Sequence, residues 1–235
     1  MPCSSRYTNV GIVNGGIVQI RQLLREKFPG LATHADELPA QKRECWPSGI
    51  LQLDRRLHGG LPKSAITEVV APRSGCGSAL MLLQLLRHAS SQRQFTALVD
   101  GRDSFDAAAV EQNTLSRLLW LRCHNAEEAI KAADLVLRDG NLSLVLLDLV
   151  LNPLAELRKI PAPTWYRFQR IVEQGTAMLV VFTPRAMISP AEVRVTLRSR
   201  FNLSAIESDQ VKLTLSLDFD VSEARGEHEE LRRTA

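Results

Sequence analysis

Short, unbroken apolar runs that recur between helix-length segments constrain this chain more than any other feature. Residues 142–148 and 177–183 are almost wholly apolar and end in Asp148 and Thr183. They are far too short to cross a membrane, and they lack the alternation of a strand with one wet face. Strands covered on both sides have this composition. Residues 65–70, 95–99 and 118–121 are further strand candidates, rich in β-branched and aliphatic residues. Between them, residues 79–89 (ALMLLQLLRHA) are apolar on most sides and read as a buried helix. Residues 107–112 suit a short helix. Residues 126–138 follow Asn125, carry Glu127 and Glu128 in the first turn and stop at Asp139-Gly140, which predicts a capped helix. Residues 164–174 form another, with Thr164 as the expected cap and Gly175 as the stop.

After Pro190 the pattern changes to alternation, Val193, Val195, Leu197 and then Val211, Leu213, Leu215, Leu217. That spacing predicts antiparallel strands appended to a parallel sheet. The fold expected is therefore α/β, a doubly wound and mostly parallel sheet with antiparallel C-terminal strands. Residues 1–47 stand apart. Ile17, Ile20, Leu23, Leu24 and Phe28 lie at helical spacing with basic residues between them, and Pro29-Gly30 ends the run. A helical arm and polar linker over 1–47, a core over 48–221 and a charged tail over 222–235 is the expected organisation.

Composition narrows the function classes. Lys and Arg number 29 against 26 Asp and Glu, a net charge of +3, too small to argue nucleic-acid affinity by itself. The four cysteines, Cys3, Cys45, Cys76 and Cys123, show neither a paired spacing nor a zinc pattern, which suits reduced thiols in a soluble cytoplasmic protein. Cys76 would be the reactive one if any were, since a helix start lowers a thiol pKa. No segment resembles a signal-peptide core or a membrane span.

In a doubly wound sheet the ligand site lies at the carboxyl ends of the strands. The loop after the strand at 65–70 reads Ala71-Pro72-Arg73-Ser74-Gly75-Cys76-Gly77-Ser78 and leads into a helix. It occupies the position of a phosphate-binding loop. The pattern G-x-x-x-x-G-K-[ST] would require Gly at 71 and 76 and Lys at 77, where this chain has Ala71, Cys76 and Gly77; only the hydroxyl of Ser78 matches. Two readings stand: a turn that holds nothing, and a nest of Ser74, Gly75, Gly77 and Ser78 that holds an anion weakly, with Arg73 or Arg102 as its side-chain charge. Asp148, at the end of its strand, is either part of that site or a plain loop acceptor.

Around this loop the sequence resembles the RecA-type recombinase core. Ser48-Gly49-Ile50-Leu51-Gln52-Leu53-Asp54, Leu57-His58-Gly59-Gly60-Leu61-Pro62 and Ile66-Thr67-Glu68-Val69 are similar to the blocks that precede that family's P-loop. Leu98-Val99-Asp100 and Leu144-Val145-Leu146-Leu147-Asp148 match its next core strands, so the resemblance spans about residues 48–217. It implies a P-loop-type doubly wound core. It also places Arg102 where the family has its catalytic Glu, and Thr183-Pro184-Arg185 where the family has Asn-Gln. Asp148 keeps the place of the carboxylate that holds Mg²⁺ through water. The losses and the size resemble the ImuA branch, RecA-like accessory proteins of SOS mutagenesis.

The resemblance then implies a protein without ATPase activity or a required cofactor, weak ATP and Mg²⁺ binding aside. It would act in translesion synthesis by binding an ImuB-like Y-family polymerase homologue, with RecA or a replicative polymerase as further candidates. The alternative is a divergent DNA-dependent ATPase that takes its missing groups from a neighbour. The two family loops that line a DNA groove are reduced here to residues 149–163 and 186–190. Arg185, Arg194, Arg198 and Arg200 cluster beside the second and are the candidates for DNA or partner contact. Trp165, Tyr166 and Phe168 lie together on a helix and read either as packing against the sheet or as a docking surface.

Overall fold

Strand β3 (Ile66–Val70) is buried at every position and lies near the middle of a seven-stranded sheet. A computed structural model describes residues 44–201 and 210–223 of the chain. Before β3 come a two-residue strand, β1 (Cys45–Trp46), helix α1 (Leu51–Arg56) and β2 (Leu61–Pro62); β1 and β2 pair antiparallel as a separate ribbon. After it follow α2 (Ser78–Ser91), β4 (Thr96–Asp100), α3 (Gln112–Leu115), β5 (Leu118–Arg122), α4 (Ala126–Asp139), β6 (Leu144–Asp148), α5 (Leu154–Leu157), α6 (Ala162–Gln174) and β7 (Met178–Thr183). The described part ends with β8 (Val193–Leu197), α7 (Gln210–Leu215) and β9 (Phe219–Glu223). The sheet order is β5-β4-β6-β7-β3-β8-β9.

Every pairing in that sheet is parallel except β8 with β9. The uninterrupted apolar runs follow from this arrangement: parallel strands joined by helical crossovers are covered on both faces. One layer packs Leu82, Leu85 and Leu86 of α2 on Leu98, Leu146, Val180 and Val195. The other packs Ala129 and Ala133 of α4 and Phe168 of α6 on Val99, Val145, Leu147 and Val181. Small residues on α4 let that helix sit close to the strands. Its start is closed reciprocally, Asn125 accepting from the Glu128 N–H while Glu128 accepts from the His124 N–H, and its end turns at Gly140 with φ +72°. Among the described residues no helix is long and apolar enough to cross a membrane.

The expected doubly wound α/β architecture is what the chain adopts, with corrections at its C-terminal end. β8, expected antiparallel, runs parallel to β3, and only β9 reverses. The alternating Val211, Leu213, Leu215 and Leu217 do not form a strand. Residues 210–215 are helix α7, whose last turn is closed by the Ser216 N–H on the Lys212 carbonyl. Six residues make fewer than two helical turns, and Leu217 lies beyond them, so the spacing of so short a segment does not decide between strand and helix. Helix α6 starts two residues earlier than expected, with Pro161 rather than Thr164 as cap and Pro163 in the first turn, where the missing N–H costs nothing. The short helix expected over 107–112 is a 3₁₀ turn at Ala107–Ala109 followed by α3. β1 falls inside the expected linker, where Trp46 is buried and its Nε1–H donates to Gln94 Oε1 at 2.9 Å. Ser222 and Glu223 of the expected tail belong to β9. The helix expected over 17–28, the linker up to residue 43 and the remainder of the tail lie outside the described residues.

The aromatic trio on α6 divides by burial: Trp165 and Phe168 stack edge to face in the core, while Tyr166 is 51% exposed. Phe168→Ala should therefore destabilise the chain by about 3–5 kcal/mol in urea unfolding, against less than about 0.5 kcal/mol for Tyr166→Ala.

Candidate functional site

The loop between β3 and α2 opens on a cleft of about 540 Å³ at the carboxyl ends of the strands. Its walls are Ala71, Pro72, Arg73 and Ser74 from the loop, Ser78, Leu82 and Leu83 of α2, residues 104–106 after β4, Asp148 at the end of β6, and Val150 and Leu151 after it. Of the residues expected to form the degenerate nucleotide site, Arg73, Ser74, Ser78 and Asp148 line this cleft.

The two glycines of the loop are occupied otherwise. Gly75 has φ +70° and its carbonyl accepts from the Phe201 N–H at 2.9 Å. Gly77, at φ +97°, is the residue from which α2 starts. A Cβ at Gly77 would come within 2.4 Å of Leu217 Cδ2 and 3.2 Å of Phe201 Cε2. Leu217 is itself buried in the α2-side core, so the space beside residue 77 is filled from the C-terminal side of the fold. Cys76 lies between the glycines and is buried in the same cluster, which makes it a packing residue.

Both arginines expected to supply charge to an anion have partners within the protein, and of the two only Arg73 lines the cleft. Arg73 Nη2 donates to the carbonyls of Arg198 at 2.5 Å and Ser199 at 3.2 Å. Arg102 turns toward the start of α4, donating to the His124 carbonyl at 2.6 Å and lying 3.8 Å from Glu156. Asp100, paired in register with Asp148, shapes the bend after β4 by accepting from Arg102 N, Ser104 N, Ser104 Oγ and Phe105 N. Asp148 Oδ1 accepts from the Val150 N–H at 3.0 Å. Burial raises the Asp148 carboxyl to about 6, the Val150 hydrogen bond opposing this and the nearby Asp100 charge adding to it. Among the described residues no group of three or more His, Cys, Asp or Glu could hold a metal ion.

The arginine cluster also separates. Arg194 forms a 2.7 Å ion pair with Glu68, a fully buried carboxylate in β3. Glu68 also accepts from Thr183 Oγ1 and the N–H groups of Met187 and Ile188. Arg198 pairs with Asp220 of β9. Arg194 is thus a structural residue, whereas Arg185, Arg198 and Arg200 are exposed. Sequence reading passed over Glu68, although a single acid inside the apolar strand ITEVV is a signal for a buried partner. Phe105, Asp106, Phe201 and Leu217 were missed as well, and no local pattern marks them.

Two measurements check this geometry. Arg194→Ala leaves Glu68 buried without its cation and should cost about 3 kcal/mol in denaturant unfolding, while Arg185→Ala and Arg200→Ala should change stability by less than about 0.5 kcal/mol. For Asp148 the folded protein holds its proton to higher pH than the unfolded chain, so stability falls as pH rises from about 4 to about 6 and stays lower above. Asp148→Asn should match the parent below about pH 4 and exceed it at pH 8 by at most about 3 kcal/mol in chemical unfolding.

Comparison with known proteins accords with the strand order and the loop. The family profile described as RecA N-terminal domain matches residues 30–160, more than half of the chain. Protein RecA of Bifidobacterium breve is 32% identical over 133 residues, 54% of this chain and 34% of that protein. Protein RecA of Thermus thermophilus is 27% identical over 143 residues, 59% of this chain and 42% of its own. The chloroplastic DNA repair protein recA homolog 1 of Arabidopsis thaliana is 33% identical over 118 residues, 48% of this chain and 27% of that protein. The chain spans about a third of the length of the curated relatives it matches. With its parallel core and its β3–α2 loop in the phosphate-loop position, the chain belongs to the family of the RecA N-terminal domain.

Proposed function

We propose that this chain is a RecA-like accessory protein that binds other proteins in DNA repair, in the translesion branch of the SOS response, and does not turn over ATP. The observation that carries the reading is Gly77. The lysine that neutralises β- and γ-phosphate charge has no counterpart, and Leu217 and Phe201 fill the space into which a side chain would grow. Of the nearby arginines, Arg102 faces α4, and Arg73, though it lines the cleft, is anchored through Nη2 to two backbone carbonyls and does not occupy the lysine's position in the loop. Nor does a carboxylate stand two residues beyond Asp100 to orient a water. Phosphoryl transfer is almost wholly positioning and charge stabilisation, and here both are missing together. ATP and Mg²⁺ therefore do not fit the residues present.

A RecA-like scaffold that keeps its core without this chemistry serves as a binding surface. In this reading the partner is an ImuB-like Y-family polymerase homologue, with RecA or a replicative polymerase as further partners. Arg185 and Arg200 supply at most a weak phosphate contact.

Isothermal titration with ATP and Mg²⁺ should give no binding in the micromolar range, and DNA should not stimulate hydrolysis. Low-micromolar affinity or DNA-stimulated turnover would overturn the reading. Gly77→Lys should leave turnover at background, since general-base catalysis alone is worth ~10²–10⁴-fold and Arg102 stands in its place. The same substitution should lower stability by about 1–3 kcal/mol, because lysine would adopt a left-handed backbone against Leu217. Affinity capture of the chain with the polymerase-like product of a neighbouring reading frame checks the partner.

A further inference from the structure

In the reading proposed above, the cleft beside the degenerate loop takes no nucleotide, and the chemistry of its walls points to a different occupant. Its largest wall is aliphatic and aromatic: Leu82 and Leu83 on one side, Phe105 at the back, Val150 and Leu151 on the other. Leu151 at the rim is 59% exposed, so its side chain is open to a partner. The charged groups facing this space can be counted by element. β6 contributes Asp148, and the segment after β4 contributes Asp106 at the mouth. The loop contributes Arg73, already held by two carbonyls. Asp100 of β4 stands behind Asp148, its oxygens taken by four donors. α2 and Pro184 bring no charge. Within the described residues the Asp148 carboxylate has one hydrogen bond, from Val150, and no cation. The cleft thus offers an acceptor at its base and apolar walls above it.

We propose that this cleft receives a lysine or arginine side chain from a partner protein, its cationic end at Asp148 and its aliphatic stem against Leu82, Leu83, Val150 and Leu151. The volume of about 540 Å³ exceeds a single side chain and accommodates the residues on either side of it. The carboxylate fixes the sign of the ligand, and the apolar walls select a long stem over a small cation. Among the described residues lining the space, the two carboxylates Asp148 and Asp106 outnumber the one cation, Arg73. This inference rests on the reading that the cleft takes no nucleotide, and names the partner chemistry that takes its place.

Acetylated and amidated Gly-Leu-X-Leu-Gly peptides, with X arginine, norleucine or glutamate, test it by titration into the nitrogen-15-labelled full chain. The reporter is the indole N–H of Trp120, one of three tryptophans, whose ring lies 5.4 Å from that of Phe105. The arginine peptide should shift that signal saturably and bind about tenfold more tightly than the norleucine peptide, equivalent to about 1.4 kcal/mol. Asp148→Asn, which keeps the Val150 hydrogen bond, should bring the arginine peptide down to the norleucine affinity. Leu151→Ser, at an exposed position, should weaken both alike. No saturable shift with the arginine peptide, equal binding of the glutamate peptide, an arginine preference that survives Asp148→Asn, or indifference to Leu151→Ser would each overturn the proposal. Titration with ATP and Mg²⁺ in the same samples separates the two readings. Micromolar ATP binding defeats the functional reading beneath it, whereas absence of both ATP and peptide binding defeats this inference alone.

Discussion

A carboxylate buried in the middle of a sheet must be surrounded by donors, and Glu68 draws a large part of this fold around itself. Its four partners come from the end of β7, from the backbone after it and from β8. Those contacts set the path of residues 184–194: the chain leaves β7, bends so that Met187 and Ile188 present their N–H groups, and returns on the far side of β3 with Arg194 in reach. Arg194 also donates to the Ile188 carbonyl, which ties the bend to the same pair. Unpaired, such a charge would cost several kcal/mol, so the loop is fixed by the need to satisfy it. Where a longer connection would be free to move, this one is held at four points.

Much of the fold was legible because burial on two faces writes itself into composition. β6 and β7 could be read from their unbroken apolar runs, and α4 from its cap, its first-turn acids and its terminal glycine. The C-terminal end was not legible for a physical reason. Whether β8 runs parallel or antiparallel depends on where its neighbour lies, and β8 alternates because one side of it carries Arg194 and Thr196 at partial exposure. Residues 210–215 were misread because so short a segment does not separate a period of two from a period of 3.6.

The candidate site was legible in its absences. That residue 77 is glycine and residue 102 arginine can be read directly. What occupies the vacated positions cannot, since Phe201 and Leu217 reach Gly75 and Gly77 across more than 120 residues of chain. The four clustered arginines show the converse. All within 16 residues of sequence, they have different roles: Arg194 satisfies Glu68, Arg198 pairs with Asp220 at the surface, and Arg185 and Arg200 are exposed without such a role. Charge density along a chain describes a surface only after the buried acids have taken their partners.

The contact between Leu217 and Gly77 also bears on which sequences lie within mutational reach. A path from this loop to one with lysine at residue 77 must first place a side chain at φ +97° against a packed leucine. The opposite order, trimming Leu217 first, opens a cavity in the α2-side core, a loss of about 2–5 kcal/mol for a leucine cut to alanine. Each intermediate is less stable than the starting chain, the first through strain and overlap at residue 77 and the second through the cavity it leaves. The loop and the C-terminal segment therefore form a ratchet: reversal needs both changes at once, and single substitutions hold the chain where it stands.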